Sequence, residues 1–261
     1  MKLEVISKQP EERQHDTPIL FVHGAWHGAW CWDDGFMDYF AERGWEVHAM
    51  SLRGHGNSEG REKLRWHSMA DYAADVEQVV SGLPRAPILV GHSMGGGVVQ
   101  KFLETHQVPG AVLLASLPVS GTWRFIMKII RRYPMRFLRF NLLMSAWPIV
   151  ETPALTREWF YSEDVPEETI KRHFERLQDE AFRAALDMLL LNLPKPTRVK
   201  TPVLVLAGEN DEIFSVPEEQ ATARAYGTEA VLFPGMAHNM MSEKGWEQVA
   251  GSIIGWLENR D

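Results

Sequence analysis

Short runs of consecutive apolar residues alternate along this chain with longer stretches in which apolar positions recur every three or four residues. The clearest strand segments are Ile19 to Val22, Val47 to Ser51, Ile88 to Val90, Val112 to Ala115, Val203 to Ala207 and Val231 to Phe233, most of them continuous apolar runs. Continuous rather than alternating apolar runs predict strands covered on both faces, hence an α/β fold with a mostly parallel central sheet flanked by helices. Lys2 to Ile6 is expected to add an antiparallel edge. Helices are predicted around residues 30–42, 69–82, 94–106, 217–226 and 244–259, with starts marked by Ser68, by Ser215 ahead of Pro217, and by Ser242 followed by Glu243.

The alternation stops after Ala115. Residues from about 118 to 195 show no strand pattern; they look helical, punctuated by Pro118, Pro134, Pro148, Pro153, Pro166, Pro194 and Pro196. An inserted helical cap over 118–197, set into a core formed by 1–117 and 198–261, is the simplest account of that break.

One turn carries the strongest chemical signal. Gly91-His92-Ser93-Met94-Gly95 follows the apolar run Ile88-Leu89-Val90 and precedes a helix-compatible segment. A serine lifted out of a sheet on a sharp strand-to-helix bend needs small neighbours two residues away, and Gly91 and Gly95 supply them. Such a hydroxyl is a poor nucleophile until a base removes its proton. Among ten histidines, His238 stands out because it follows the last predicted strand on a loop before the final helix. Asp211, a few residues beyond the run Val203 to Ala207, is the best candidate to orient that imidazole; Glu209 and Glu212 on the same loop are its rivals. The negative oxygen that develops during acyl transfer needs two backbone N–H donors. Met94, after the serine, is one candidate, and Ala25, in the glycine-bearing loop His23-Gly24-Ala25-Trp26-His27-Gly28-Ala29-Trp30, is the other.

His23-Gly24, Gly91 to Gly95, Gly208 to Asp211 and Gly235 to His238 come in the order and spacing of the α/β-hydrolase family, which this chain resembles from about residue 17 onward. Arg53-Gly54-His55-Gly56-Asn57-Ser58 is similar to the family's loop after its next strand, although Ser51 stands where many members carry aspartate. The run from His23 to Trp32 resembles the subgroup of plant methylesterases and hydroxynitrile lyases. The lyases carry threonine at the position of Gly24 and lysine at that of Asn239, so the resemblance implies ester hydrolysis. Ser93 likewise sets the chain apart from family members that use an aspartate nucleophile. Implied, then, is a serine carboxylesterase, lipase-like, acting through an acyl-enzyme on Ser93. The alternatives are another hydrolase on the same triad (lactonase, thioesterase, amidase, C–C bond hydrolase or perhydrolase) or a slow-turnover ligand receptor.

Composition narrows the partners. With 45% hydrophobic and 24% charged residues and a formal net charge of −8, the chain reads as an ordinary globular protein without general affinity for nucleic acid. The single Cys31 permits no intrachain disulfide, and no segment approaches a membrane span, so a soluble cytoplasmic protein is expected. Neither metal nor organic cofactor is called for. A small ester with an apolar acyl group is the expected substrate, with Trp26, Phe137 and Trp147 expected along the acyl pocket. Arg124, Lys128, Arg131, Arg132, Arg136 and Arg139 gather on one broad helical face; they read as a solvated cap face or as a surface for peripheral lipid contact.

Overall fold

The computed structural model describes residues 1–259. Seven strands, β1 (Val5–Lys8), β2 (Ile19–Val22), β3 (Val47–Met50), β4 (Ile88–His92), β5 (Ala111–Leu114), β6 (Val203–Gly208) and β7 (Ala230–Phe233), form one sheet in the order β1-β3-β2-β4-β5-β6-β7. β1 pairs antiparallel with β3, while all other neighbours run parallel. Every residue of β2 to β6 is buried, as continuous apolar runs require when helices cover both faces. The edge strand lies three residues later than Lys2 to Ile6. The Ser51 N–H donates to the Glu4 carbonyl in register with the β1–β3 pairing, whereas the Lys2 carbonyl is taken by the Glu59 N–H, away from β3.

Ten α-helices connect and cover the strands: α1 (Phe36–Ala41), α2 (Met69–Gly82), α3 (Met94–Leu103), α4 (Trp123–Arg132), α5 (Pro134–Leu143), α6 (Pro153–Phe160), α7 (Glu167–Phe174), α8 (Phe182–Leu186), α9 (Val216–Ala225) and α10 (Trp246–Glu258). Ser68 caps α2 as expected, in a reciprocal pair with Asp71. Ser242 does not start α10. That helix opens four residues later behind Gly245, and the Glu243 carboxylate is drawn away to accept the Ser162 N–H at 2.8 Å. Between β5 and β6 lie α4 to α8 and no strand, and Pro134 divides the basic amphipathic stretch into α4 and α5.

Strand order places the functional loops. After β2 the chain builds β3 on one side and then crosses to β4 on the other, so β2 and β4 adjoin with oppositely directed connections. Such a switch point opens a crevice at the carboxyl ends of the strands. The loops after β2, β4, β6 and β7, which carry Ala25, Ser93, Asp211 and His238, all leave from that edge. Close packing there leaves no space for larger residues. A Cβ on Gly95 would press into the carbonyl oxygens of Val22 and His23. Gly95→Ala is therefore expected to destabilise the fold by about 1–3 kcal/mol through forced backbone displacement. A urea midpoint equal to that of the wild type would show that α3 moves at no cost.

Candidate active site

Ser93 sits at the bend between β4 and α3 with φ 52° and ψ −120°, a left-handed conformation that L-residues avoid. The backbone fixes it from three sides. Its N–H donates to Leu114 O at 3.1 Å, and its carbonyl accepts from Leu117 N at 3.0 Å and Gly97 N at 3.2 Å. Strain held by such contacts belongs to sites where geometry is imposed for function.

His238 lies on the loop after β7, its ring 4.8 Å from that of His92 between centroids and packed beside Phe214 and Phe160. Its Nδ1 hydrogen-bonds Asp211 Oδ2 at 2.7 Å. The other carboxylate oxygen, Oδ1, accepts the N–H groups of Ile213 and Phe214 at 2.7 and 3.0 Å. The loop therefore clamps the Asp211 carboxylate, which in turn holds the His238 ring. With Nδ1–H facing a carboxylate, the Nε2 lone pair is the free one, and Nε2 is buried without a hydrogen-bond partner among the described residues. The Ser93 hydroxyl does not bond to it in this conformation. Serine–histidine bonds are often open in unliganded sites and tighten on the substrate.

Of the rival acids, Glu209 is exposed and Glu212 pairs with Lys128 and Arg132 on α4 at 3.0 and 3.3 Å. Several other histidines are held as structure. Burial pushes His23 and His27 down to about 3, so both are neutral at ordinary pH. Their Nδ1 atoms face the Gly24 and Ala25 carbonyls at 2.8 and 2.7 Å. Ser51 donates to the Glu4 carboxylate at 2.5 Å and accepts the Ala29 N–H at 2.9 Å. The negative charge beside this loop thus comes from Glu4.

A narrow cavity of about 60 Å³ opens on Ser93, with Ala25 and Met94 beside it. The N–H groups of Ala25 and Met94 take no protein acceptor among the described residues, and Met94 opens α3, where helical N–H groups are unpaired. Trp26 lines this cavity. Phe137 and Trp147 do not: Phe140, one turn beyond Phe137, faces the space, and Phe137 stacks behind it at 6.2 Å. Trp147 N–H is held by Asp179 at 2.9 Å, which turns the indole onto Phe174 at 6.0 Å. A wider, open cleft of about 580 Å³ along α4 reaches Asp211 but not Ser93, and so offers nothing to the nucleophile.

One lining residue gave no sign in the sequence. Glu180, in the segment between α7 and α8, is buried beside the cavity and lies 3.1 Å from His55 Nε2. Burial pushes its carboxyl up, but the His55 charge and the surrounding donors more than reverse this and hold it below the usual range. No group of three or more His, Cys, Asp or Glu is placed to hold a metal ion among the described residues.

The sequence model of the alpha/beta hydrolase family matches residues 19–252. The chain belongs to that family. A non-heme haloperoxidase of Rhodococcus erythropolis is 38% identical over 266 aligned positions, covering 93% of this chain and 92% of the relative. A non-heme chloroperoxidase of Streptomyces lividans is 36% identical, but the match spans only 39% of this chain and 37% of that protein. Among solved structures, an esterase from Exiguobacterium antarcticum superposes with a TM-score of 0.76 at 16% identity, over 98% of this chain and 95% of its own. At that identity the likeness speaks for the fold. Proteins similar to this chain carry the names of esterases, non-heme haloperoxidases, a monoacylglycerol lipase and an enol-lactonase.

Proposed function

We propose that this α/β-hydrolase is a serine carboxylesterase, with Ser93 as nucleophile, His238 as general base and Asp211 as the acid that orients it. The 2.7 Å contact of His238 with Asp211, next to a serine held at positive φ, is the observation that carries this reading. Rotation of the Ser93 side chain brings its hydroxyl to Nε2, which takes the proton as Oγ attacks the ester carbonyl. The Ala25 and Met94 N–H groups receive the developing oxyanion. Collapse of the tetrahedral intermediate expels the alcohol, protonated by His238, and water then repeats the sequence on the acyl-enzyme.

Residues 118–197 act as the cap that shapes the acyl pocket. Phe125, Ile126, Phe140 and Met188 from that segment line the cavity, which favours an apolar acyl group. Its volume of about 60 Å³ corresponds to about two waters at liquid density, which favours a short chain. Outside, α5 exposes Met135, Leu138 and Leu142 at helical spacing, which supports peripheral lipid contact; among the described residues no helix is long and apolar enough to cross a membrane. The buried thiol of Cys31 fits a cytoplasmic location.

The test is a panel of p-nitrophenyl esters of increasing acyl length. Turnover is expected to peak at acetyl to butyryl and to fall with octanoyl. Phe140→Ala should move the optimum to longer chains while lowering stability by about 3–5 kcal/mol. A flat profile that the substitution leaves unchanged would remove the cavity from the acyl site. The name of the Rhodococcus relative favours one second reading, attack of hydrogen peroxide in place of water on the acyl-enzyme to release a peracid. Peracid formation from the same esters in the presence of peroxide separates the two.

A further inference from the structure

The loop that carries Ala25 is not held by the sheet alone. Trp26, the next residue, has φ 65°, a left-handed conformation for a side chain as large as indole. Each of its three polar groups is bound by the segment between β5 and β6. Its N–H donates to Glu180 Oε2 at 3.3 Å, its carbonyl accepts the Gln178 N–H at 2.9 Å, and its indole N–H donates to Ala146 O at 3.3 Å. Glu180 is in turn fixed by Tyr72 O–H and Ala181 N–H on Oε1, at 2.7 and 2.6 Å. His55 lies beside the set, its Nε2 3.1 Å from Oε2 as an ion-pair contact and its Nδ1 facing Arg53 O at 3.2 Å.

Peptide planarity gives these contacts a consequence for Ala25. The plane joining Gly24 and Ala25 contains the Ala25 N–H, and its carbonyl is pinned by His23 Nδ1 at 2.8 Å and His27 N at 3.3 Å. The plane joining Ala25 and Trp26 is pinned at its carbonyl by His27 Nδ1 at 2.7 Å and at its N–H by Glu180. With both planes fixed, the direction of the Ala25 N–H is fixed too. On the oxyanion role proposed above for that N–H, we infer that Glu180 is a positioning residue for the oxyanion hole, reaching from the inserted segment to hold the Ala25–Trp26 peptide in its strained orientation.

This role predicts an effect on the transition state more than on substrate binding. Removal of one oxyanion donor outright costs about 10²–10³ in kcat, so a donor left in place but released should cost about 10–100-fold. Glu180→Ala is expected to lower kcat for p-nitrophenyl butyrate by that factor with KM within about twofold of wild type. Affinity for a butyl trifluoromethyl ketone, whose hemiketal oxygen occupies the oxyanion hole, should fall in parallel, and affinity for the corresponding methyl ketone should not. Glu180→Gln, which keeps an oxygen for the Trp26 N–H, should recover part of kcat. Unchanged kcat in Glu180→Ala, or equal losses for both ketones, overturns the inference. If the alanine variant does not fold, the glutamine variant decides: kcat reduced by roughly threefold or more at constant KM supports positioning, and wild-type kcat overturns it. Labelling of wild-type Ser93 by a fluorophosphonate comes first. A wild type that does not label sinks the esterase reading and this inference with it, whereas a labelled wild type with fully active Glu180 variants sinks only the inference.

Discussion

Ser93→Gly is expected to abolish ester hydrolysis and at the same time to raise the melting temperature. Losing the nucleophile of a serine triad removes on the order of 10⁶ in kcat, leaving only what binding and the oxyanion donors supply. Stability moves the other way because of the backbone. At φ 52° and ψ −120° any residue with a Cβ is strained, at roughly 1–3 kcal/mol, and glycine is not. Against this, glycine gains freedom in the unfolded chain, about 0.4–1 kcal/mol. The difference, about 1 kcal/mol, corresponds to a rise of roughly 2–4 °C for a chain of this size. Ser93→Ala separates the two effects, since it loses the hydroxyl but keeps the Cβ; it should be equally inactive with no thermal gain. Calorimetry of the three proteins beside p-nitrophenyl butyrate turnover reads both. An alanine variant that keeps most of its activity would take the nucleophile's role from Ser93, and a glycine variant that melts below the alanine variant would remove the strain.

That such a prediction could be framed from one serine reflects what kind of information lies in neighbouring residues. The elbow is local: an apolar run, glycines two residues either side of Ser93, and a helix-compatible run follow one another directly. The parallel strands are nearly as local, because burial on both faces removes every polar residue from a run such as Ile19 to Val22. Asp211 could be placed on its loop but not separated from Glu209 and Glu212 until Lys128 and Arg132, some eighty residues earlier, were seen to occupy Glu212. The pocket wall was less legible still. Periodicity marks an apolar helix face, but which residue of that face meets the cavity depends on the rotation imposed where Pro134 breaks α4 from α5, and Phe140 rather than Phe137 turns inward. Trp147 lies off the cavity wall, with its backbone N–H held by Asp179 and its indole on Phe174, both distant in sequence. Glu180 lies 154 residues from Trp26 and looks like any polar residue between helices. A buried carboxylate is identified by its donors, and two of the three here, Trp26 N–H and Tyr72 O–H, come from more than a hundred residues away.

Asp211, proposed as the acid of the triad, offers the sharper test, because its two oxygens have different partners. In Asp211→Asn the amide oxygen is expected to take the Oδ1 position, where two backbone N–H groups require an acceptor. The NH₂ then faces Nδ1 of His238, which must accept instead of donate. That forces the imidazole proton onto Nε2, toward Ser93, where no lone pair remains to receive the serine proton. Turnover should fall about 10⁴-fold, the size found when a triad aspartate becomes asparagine. Glu212 cannot substitute while it is paired with α4. The fold should tolerate the change. Burial, and then the Asp211 and Glu218 charges, push the enclosed Glu219 carboxyl well above its usual range, so removing the Asp211 charge should let that carboxyl ionise more readily. Asp211→Ala is different. It strands the Ile213 and Phe214 N–H groups without an acceptor in a buried loop, at about 1–3 kcal/mol for each. Urea denaturation should therefore separate two variants that turnover cannot: asparagine near wild type, alanine clearly weaker. Equal stability of the two would mean that the loop, not the carboxylate, sets the geometry of Asp211, and an asparagine variant within tenfold of wild-type kcat would detach Asp211 from the proton transfer altogether.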